Sequence, residues 1–300
     1  MISGRVWRSI DDFSDADVEW VMARAELHRT GLAPPLVSQP LVGLCFLEAS
    51  LRTRLGFAAA AGRIGGRHID VVRRRESEIS RPESIHDTLR TVMGYCDVVV
   101  ARLGEPLAGP NLPSERPAPL VNGGDRGPDG EHPTQALLDL FALSHDLGDL
   151  AGRTVAICGD PRMRAVTSLL RLLPRFGVEL IVLLTLPELE RGWRRPAGAD
   201  GIVRRASWSD LPRETAVLYM AGVPHGAVSL EDRGALTLTA DRLAALPREL
   251  VVTSPLPVID EISPEARADP RVRAFHHSDL GLFTRMAVLE LALLGGPTGG

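Results

Sequence analysis

The run Leu41-Val42-Gly43-Leu44-Cys45-Phe46-Leu47, followed shortly by Ser50-Leu51-Arg52-Thr53-Arg54, decides the fold of this 300-residue chain. The apolar run predicts a short buried strand, and the alanine-rich segment 55–61 predicts a helix that Ser50 precedes as N-cap. The first N–H groups of a helix lack intrahelical partners, and the helix dipole places positive charge there. With two arginines and two hydroxyls on the same turn, the stretch predicts an anion site suited to phosphate. The alternative is an exposed helix start whose arginines are only solvated.

A second motif, His132-Pro133-Thr134-Gln135, begins a long apolar helix. Side chains at the start of a helix face out of its N-terminus, so His132 and Gln135 are candidates to contact a ligand there. A lone histidine in this position is more often a cap or a surface residue. His132 is therefore a candidate site residue only in combination with the first motif.

Together the two motifs closely resemble those of the aspartate/ornithine carbamoyltransferase family. That family has a Ser-x-Arg-Thr-Arg phosphate loop and a His-Pro-x-Gln helix start. A third stretch, Ser254 to Ile262, is similar to the His-Pro-Leu-Pro-Arg-x-Asp-Glu-Ile loop of the aspartate branch. The resemblance extends from about Ile10 to about Leu294 and is closest to the aspartate carbamoyltransferase branch.

The resemblance implies a site for carbamoyl phosphate in the N-terminal half of the chain. It implies that the phosphate is held at the start of the second predicted helix and that Gln135 holds the carbamoyl amide. Donors aimed at a developing oxyanion can each contribute about 3–4 kcal/mol, and the resemblance assigns this role to Arg102, His132 and Thr53. Arg52 joins these three as the expected catalytic group. The expected carbamoyl-phosphate-binding residues here are Ser50, Leu51, Arg52, Thr53, Arg102, His132 and Gln135.

Two further residues of this site are expected on the polar segment 73–82. In the family, a serine and a lysine of the matching segment enter the active site of a neighbouring subunit. Ser77 and Arg81 occupy the matching positions, and arginine keeps the charge of lysine but presents it as a planar fork. The resemblance thus implies a homotrimer with shared active sites. A solvated loop with no catalytic role is the alternative.

The half of the site that binds the amine departs from the aspartate pattern. Arg164 matches the family arginine that binds the α-carboxylate, with Arg162 as a competitor. Gly222 stands where aspartate enzymes have the arginine for the second carboxylate, and Pro224 replaces a glutamine. Neither residue can donate a side-chain hydrogen bond. His225 is close enough in sequence to contact a different substrate, but a loop histidine without a role is the simpler interpretation.

The third motif is changed as well. Ser254 and Val258 replace the histidine and the arginine of the family loop, whereas Pro255 and Leu256 are retained and are expected to contact the acceptor. Losing one charge-assisted contact costs roughly 1.5–3 kcal/mol. The sequence therefore predicts that L-aspartate is a poor acceptor or none.

The leading hypothesis is an enzyme that moves the carbamoyl group of carbamoyl phosphate to an amino-acid-like amine in specialised metabolism and releases phosphate. One alternative is a divergent aspartate carbamoyltransferase of pyrimidine biosynthesis. Another is a catalytically dead paralogue that binds carbamoyl phosphate or an active partner. The resemblance implies no cofactor and no metal.

The amino-acid composition excludes several other classes of enzyme and argues against some binding partners. All 34 basic residues are arginine. A Schiff-base lysine, a pyridoxal-phosphate enzyme and a Walker-type loop, which need lysine, are therefore excluded. The net charge of −4 gives no electrostatic reason to expect nucleic acid or an anionic membrane as partner. No apolar run reaches the roughly 18 residues that a membrane span needs, and no signal peptide is recognisable. We expect a cytoplasmic protein.

Alternating strands and helices on both sides of residue 150 predict an α/β protein with two parallel-sheet αβ domains. The resemblance implies a carbamoyltransferase-like fold in which the C-terminal helix packs back on the first domain. The expected limits are 1–132 for a carbamoyl-phosphate-binding domain, 133–148 for a linking helix, 149–283 for an amine-binding domain, and 284–300 for the returning helix.

Overall fold

The computed structural model describes residues 4–72, 83–127 and 130–297. The chain divides into two units, one of Met1–Phe141 with Leu280–Gly300 and one of Ala142–Asp279. Each unit contains a five-stranded parallel sheet with helices, so the predicted α/β fold with two parallel sheets is confirmed. The domain limits expected from the sequence stay predictions.

Within the described ranges, ten strands form the two sheets, and every pair of neighbouring strands is parallel. The first sheet has the order β1-β5-β4-β2-β3 and the second the order β10-β9-β6-β7-β8. The strands are β1 Val6–Trp7, β2 Leu41–Phe46, β3 Arg67–Val72, β4 Val98–Arg102, β5 Leu120–Asn122, β6 Thr154–Gly159, β7 Leu180–Leu184, β8 Val203–Arg205, β9 Thr215–Gly222 and β10 Val251–Thr253.

The α-helices connect these strands and cover the sheets. They are α1 Asp15–Thr30, α2 Leu51–Arg63, α3 Ile85–Tyr95, α4 Pro133–Leu147, α5 Arg164–Leu172, α6 Leu230–Leu236, α7 Ala240–Ala244, α8 Pro264–Arg267 and α9 Ala274–Leu294.

In the first unit, β2 and β4 lie side by side at the middle of the sheet. Phe46 pairs with Arg102, the last residue of β4. The backbone N–H groups of Leu47 and Glu48 both donate to the Arg102 carbonyl, at 2.9 and 3.1 Å. This edge of the sheet therefore carries both the approach to α2 and the Arg102 side chain. In open parallel sheets, ligands bind at the carboxyl ends of the strands.

The C-terminal helix α9 packs on the first unit from Leu280 onward, as the sequence predicts. Its buried Glu290 accepts hydrogen bonds from Arg24 of α1, with Nη2 at 3.1 Å from Oε1, and lies 2.9 Å from His28 Nε2. A carboxylate that is 1% exposed needs such partners, because an unpaired buried charge is strongly destabilising.

In the second unit, the carboxyl ends of β6 and β9 approach each other closely. Gly159 ends β6 with a φ of +125°, and a Cβ there would overlap the Gly222 carbonyl group. The Asp160 N–H donates to that same carbonyl at 2.9 Å. Only glycine permits this conformation together with this contact. Beside β9 lies β10, whose Thr253 pairs with Tyr219.

No helix in the described ranges combines the length and the apolar character that crossing a membrane requires.

Candidate active site

The start of α2 has the form that the sequence predicts for an anion site. Ser50 is the N-cap residue, and its hydroxyl makes no hydrogen bond to the helix. Leu51 begins the helix, and its side chain is exposed. Because a leucine side chain has no hydrogen-bond donor, only the backbone N–H of this residue can bind an anion. The Arg52 side chain is half-buried, and this burial lowers the pKa of its guanidinium. Arg54 forms an ion pair with Asp70 of β3, at 2.7 and 2.8 Å, and is therefore engaged away from the helix start.

Thr53 brings the first and second sequence motifs together. This residue is 5% exposed, and its Oγ1 lies 3.4 Å from Nε2 of His132, which is 6% exposed. On the other side of the imidazole ring, Nδ1 lies 3.3 Å from the Thr134 hydroxyl. The histidine ring is thus held between two hydroxyl groups, one from α2 and one from α4.

Arg102 lies beside the same histidine. A Cβ at Gly124, where φ is +105°, would lie 2.9 Å from Cδ2 of His132 and 3.1 Å from Nη1 of Arg102. The absence of a side chain at this glycine therefore lets the backbone lie against both functional groups. Nη2 of Arg102 also lies 3.3 Å from Oε1 of Glu48, which accepts from Arg126 at 2.9 and 3.0 Å.

Buried acidic side chains make hydrogen bonds next to His132. Glu131 accepts hydrogen bonds from the Ser9 hydroxyl at 2.5 Å and from the Ile10 N–H at 3.0 Å. Asp125 accepts from the N–H groups of Glu131 and Leu107, at 2.8 and 3.0 Å. Hydrogen bonds in such a buried network strengthen one another. They hold Glu131, the residue directly before His132, against Ser9, Ile10 and Asp125.

Gln135 lies in the first turn of α4, and its side chain is bound to a residue of the next turn. Its Nε2 donates to Oδ1 of Asp139 at 2.9 Å, and both side chains are buried. The described structure therefore gathers seven predicted residues at one edge of the first unit: Ser50, Leu51, Arg52, Thr53, Arg102, His132 and Gln135.

The acceptor residues expected from the sequence lie in the second unit, after β6, β9 and β10. Arg164 begins α5 and is half-buried. Its competitor Arg162 donates from Nε and Nη2 to Asp160, at 2.9 and 2.8 Å, and this hydrogen bonding raises the pKa of the Arg162 guanidinium. Arg162 is thus paired with a carboxylate of its own loop, and Arg164 stays the match to the family arginine that the resemblance implies.

Gly222 ends β9 with a φ of +81°, and the space beside its Cα is occupied by an acidic side chain. A Cβ at this position would overlap Oε1 of Glu261. The other oxygen of Glu261 accepts from the Ile259 N–H at 2.6 Å, which fixes the carboxylate. The position that bears an arginine in the aspartate pattern is thus a glycine next to a carboxylate.

The residues after Gly222 form an exposed turn. Pro224 and His225 are both exposed. The turn is anchored by Arg233 of α6, whose Nη2 donates to the Val223 carbonyl at 2.6 Å and whose Nε lies 2.7 Å from the Asp260 carboxylate. A small cavity lies here, lined by Cys158, Gly159, Met220, Gly222, Val223, Arg233, Leu236, Thr237, Asp260 and Glu261.

The retained pair of the third motif follows β10. Pro255 and Leu256 are both half-buried, and Leu256 has a left-handed φ of +57°. Its N–H donates to the Ser254 hydroxyl at 3.1 Å. The serine that replaces the family histidine therefore helps to shape this turn.

Ser77 and Arg81 lie outside the described residues, so their expected role stays a prediction.

In the described part of the chain, His145, Asp146 and His276 are close enough to hold a metal ion, with ligand atoms within 4.8 Å of one another. The Asp146 carboxylate is already engaged by Arg273 at 3.0 Å and by His277 at 2.8 Å. A dication would have to displace a guanidinium group. We therefore assign no metal to this cluster.

Sequence reasoning missed several residues around the two half-sites: Glu48, Gly124, Asp139, Glu261 and Arg285. A partial signal exists for Asp139, which follows Gln135 by four residues and therefore lies on the same helix face. The others are brought in by strand order and helix packing, which no local pattern encodes.

Comparison with known proteins identifies the family. Residues 5–145 match the carbamoyl-P binding domain of aspartate/ornithine carbamoyltransferases. The aspartate carbamoyltransferase catalytic subunit of Archaeoglobus fulgidus is 32% identical over 95% of this chain and 98% of its own length. The chloroplastic aspartate carbamoyltransferase of Arabidopsis thaliana is 34% identical over 85% of this chain and 68% of its own length.

Solved structures of aspartate transcarbamoylases resemble this chain as well. The catalytic subunit of M. jannaschii aspartate transcarbamoylase superposes with a TM-score of 0.83 over 100% of both chains, at 26% identity. The Trypanosoma cruzi aspartate transcarbamoylase in complex with carbamoyl phosphate gives a TM-score of 0.79 at 30% identity, over 96% of this chain and 95% of that one. None of these four proteins supports an acceptor other than aspartate. By its sequence and its fold, the chain belongs to the aspartate/ornithine carbamoyltransferase family, in the aspartate carbamoyltransferase branch, and is a carbamoyltransferase.

Proposed function

We propose that the protein transfers the carbamoyl group of carbamoyl phosphate to the amine of L-aspartate and releases phosphate. The observation that carries the proposal is the contact of Thr53 with His132 beside Arg102, at the start of α2. Relatives named aspartate carbamoyltransferase favour aspartate over the other amines that the sequence predicts.

In this proposal the N-terminus of α2 binds the phosphate. Ser50 offers a hydroxyl, Leu51 its backbone, and Arg52 and Thr53 their side chains. Backbone N–H groups and the helix dipole at a helix start favour an anion, and arginine adds charge-assisted hydrogen bonds. The lowered pKa of Arg52 reflects burial that a phosphate dianion would compensate.

The carbonyl oxygen of the carbamoyl group would be bound by Arg102, Thr53 and His132. If the Thr134 hydroxyl donates to Nδ1 of His132, the proton of the neutral ring is on Nε2, which can then donate. The neutral amine attacks the carbonyl carbon, and negative charge develops on the oxygen. The bond to the phosphate oxygen then breaks, and the proton that the amine nitrogen loses leaves with the phosphate. Donors fixed in advance stabilise that charge without reorganising, and orientation of the two reactants lowers the barrier further.

In the second unit, we propose Arg164 as the partner of the α-carboxylate of the acceptor, with Pro255 and Leu256 as contacts of its apolar part. Pro224 and His225, on the exposed turn, are the further acceptor contacts in this proposal. Ser77 and Arg81 of a neighbouring subunit complete the phosphate site if the protein is a homotrimer. Light scattering on the purified protein tests that assembly. A cytoplasmic location also stays a prediction.

A second candidate is transfer to an amine without a second carboxylate. It is favoured by one observation, the Glu261 carboxylate beside Gly222, where the aspartate pattern has an arginine. An anionic acceptor side chain placed near this carboxylate would be repelled, whereas a neutral or cationic one would not.

The test is phosphate release from carbamoyl phosphate with L-aspartate and, in parallel, with a panel of neutral and basic amino acids and simple amines. Release with aspartate supports the proposal, and release only with another amine selects the second candidate. If carbamoyl phosphate binds but no amine is carbamoylated, the catalytically dead paralogue replaces both.

A further inference from the structure

A deeply buried guanidinium group lies behind the proposed phosphate site. Arg285 of α9 is 6% exposed, and within the described residues its Nε has no hydrogen-bond partner. A Cβ at Gly56 of α2 would lie 2.8 Å from its Cδ and Nε, and a Cβ at Gly281 would lie 2.8 Å from its Nη1. Both glycines thus leave room for this side chain, which also lies 6.0 Å from the centre of the Phe57 ring.

The negative charge of Asp139 acts on the buried Arg285 guanidinium. Burial lowers the pKa of the Arg285 guanidinium to about 10, while the negative charge of Asp139 raises it and the positive charge of Arg52 lowers it. Asp139 is itself 1% exposed. A buried charge is tolerated when an opposite charge lies close to it. Asp139 and Arg285 are therefore two buried groups of opposite charge in the same unit.

An ionised Asp139 fixes the orientation of the Gln135 side chain. The contact between Gln135 and Oδ1 of Asp139 is 2.9 Å long. A carboxylate can only accept hydrogen bonds, so the nitrogen of the Gln135 amide must face Asp139 and the oxygen Oε1 is left to accept. The nitrogen of a carbamoyl group carries N–H groups, which can donate hydrogen bonds to that oxygen.

We propose that Asp139, with its charge balanced by Arg285, is a positioning residue that keeps the Gln135 oxygen directed to the N–H groups of the bound carbamoyl group. The proposal rests on the carbamoyl phosphate site proposed above. In this proposal Asp139 and Arg285 do not bind the substrate themselves. Their effect reaches the ligand through Gln135.

Two ligands separate this role from a merely structural one. Phosphonoacetamide resembles carbamoyl phosphate but has a CH₂ group in place of the oxygen that bridges the carbonyl carbon and the phosphorus. Inorganic phosphate has no amide. Isothermal titration calorimetry gives the affinity of each for the wild type, Gln135→Ala, Asp139→Asn and the double variant. Binding needs no acceptor, so the measurement does not depend on which amine the enzyme uses.

We expect Asp139→Asn to weaken phosphonoacetamide binding by about tenfold, the value of one oriented hydrogen bond, without weakening phosphate binding. In the Gln135→Ala background, Asp139→Asn should cause no further loss for phosphonoacetamide, because the residue through which it acts is gone. An equal loss for both ligands, or additive losses in the double variant, would overturn the proposal.

Glu290→Gln is the matched control, since it also neutralises a buried carboxylate of the first unit. It should leave the ratio of the two affinities unchanged, and a change as large as that of Asp139→Asn would contradict the assigned role. If Asp139→Asn does not fold because Arg285 is left unbalanced, Asp139→Asn with Arg285→Gln removes both charges and carries the same expectation.

A crystal structure of the wild type with phosphonoacetamide needs no variant at all. The proposal expects the Gln135 nitrogen against Asp139 and its oxygen against the ligand amide, and a side chain turned away from Asp139 would overturn it. Failure of the carbamoyl phosphate site itself is distinguishable, because the wild type would then bind neither ligand.

Discussion

The carboxylate of Glu261 occupies the space that any side chain at Gly222 would need. Because the Ile259 N–H holds the other oxygen of Glu261 at 2.6 Å, the carboxylate is fixed. At this position the chain thus has a carboxylate beside a residue without a side chain. Restoring an arginine at residue 222 would require Glu261 to move.

Replacing Gly222 with alanine should destabilise the protein more than the same change at Gly226. Both glycines have a left-handed φ, +81° and +75°, but a Cβ at Gly226 meets nothing within 4 Å. Backbone strain alone predicts a loss of about 1–2 kcal/mol at Gly226, and the overlap with Glu261 should add about 1–3 kcal/mol at Gly222. Chemical denaturation of the two variants measures the difference. Equal losses would show that Glu261 moves aside freely.

Neutralising Glu261 should help an anionic acceptor. Glu261→Gln keeps the size of the side chain and can still accept from Ile259, but it removes the negative charge. If aspartate is the acceptor, its KM should fall by about fivefold with little change in kcat, since repulsion acts on binding. Steady-state kinetics measures both. Glu249→Gln, at an exposed position, is the control and should change neither. An unchanged KM in Glu261→Gln would mean that this carboxylate does not face the acceptor.

Arg52 should be indispensable for the reaction. Arg52→Ala removes charge-assisted hydrogen bonds to the phosphate, which should lower kcat/KM for carbamoyl phosphate by at least about a hundredfold. The control is Arg63→Ala, which removes an exposed arginine from the other end of the same helix. This variant should leave kcat/KM unchanged. Turnover of Arg52→Ala at the wild-type rate would remove the phosphate site from the start of α2.

The attachment of α9 to the first unit should depend on pH through Glu290. Burial would raise the pKa of this carboxyl group, but hydrogen bonds from His28 and Arg24 outweigh it and hold the pKa below its ordinary value of 4.5. Glu290→Gln should therefore lower the free energy of unfolding by about 3 kcal/mol at neutral pH. A lowered pKa stabilises the fold above the unfolded-state pKa, and this contribution is lost as the pH falls through the folded-state pKa.

Denaturation of the wild type and Glu290→Gln at several pH values tests this assignment. The difference in free energy of unfolding should shrink as the pH falls below 4.5. Glu19→Gln, an exposed change on α1, should stay within about 0.5 kcal/mol of the wild type at every pH. A difference for Glu290→Gln that is the same at acid and neutral pH would contradict the shifted pKa.

The sequence predicts most of the carbamoyl phosphate half because its residues belong to contiguous motifs at strand ends and helix starts. The strand before Ser50, the helix after it and the helix after His132 follow from local patterns, and β2, α2 and α4 confirm them. The short strands β1 and β5 were missed, since two or three residues carry no periodic signal.

The surroundings of the site could not be predicted in this way. The charge of Asp139 acts on Arg285 only because α9, much later in the chain, returns to the first unit. Glu261 meets Gly222 because β10 pairs with β9, and strand order is a tertiary property. The sequence did show that the arginine of the aspartate pattern is missing, but not what fills its place.

The most direct test of the central claim follows the carbamoyl carbon itself. The purified protein is given carbamoyl phosphate labelled with carbon-13, together with L-aspartate, and the products are observed by NMR. We predict that the label moves to the amine nitrogen, giving a ureido carbon in equal amount to the phosphate released. The account would be contradicted if phosphate appeared no faster than without the protein, or if the label never became bonded to an amine with aspartate or any other acceptor.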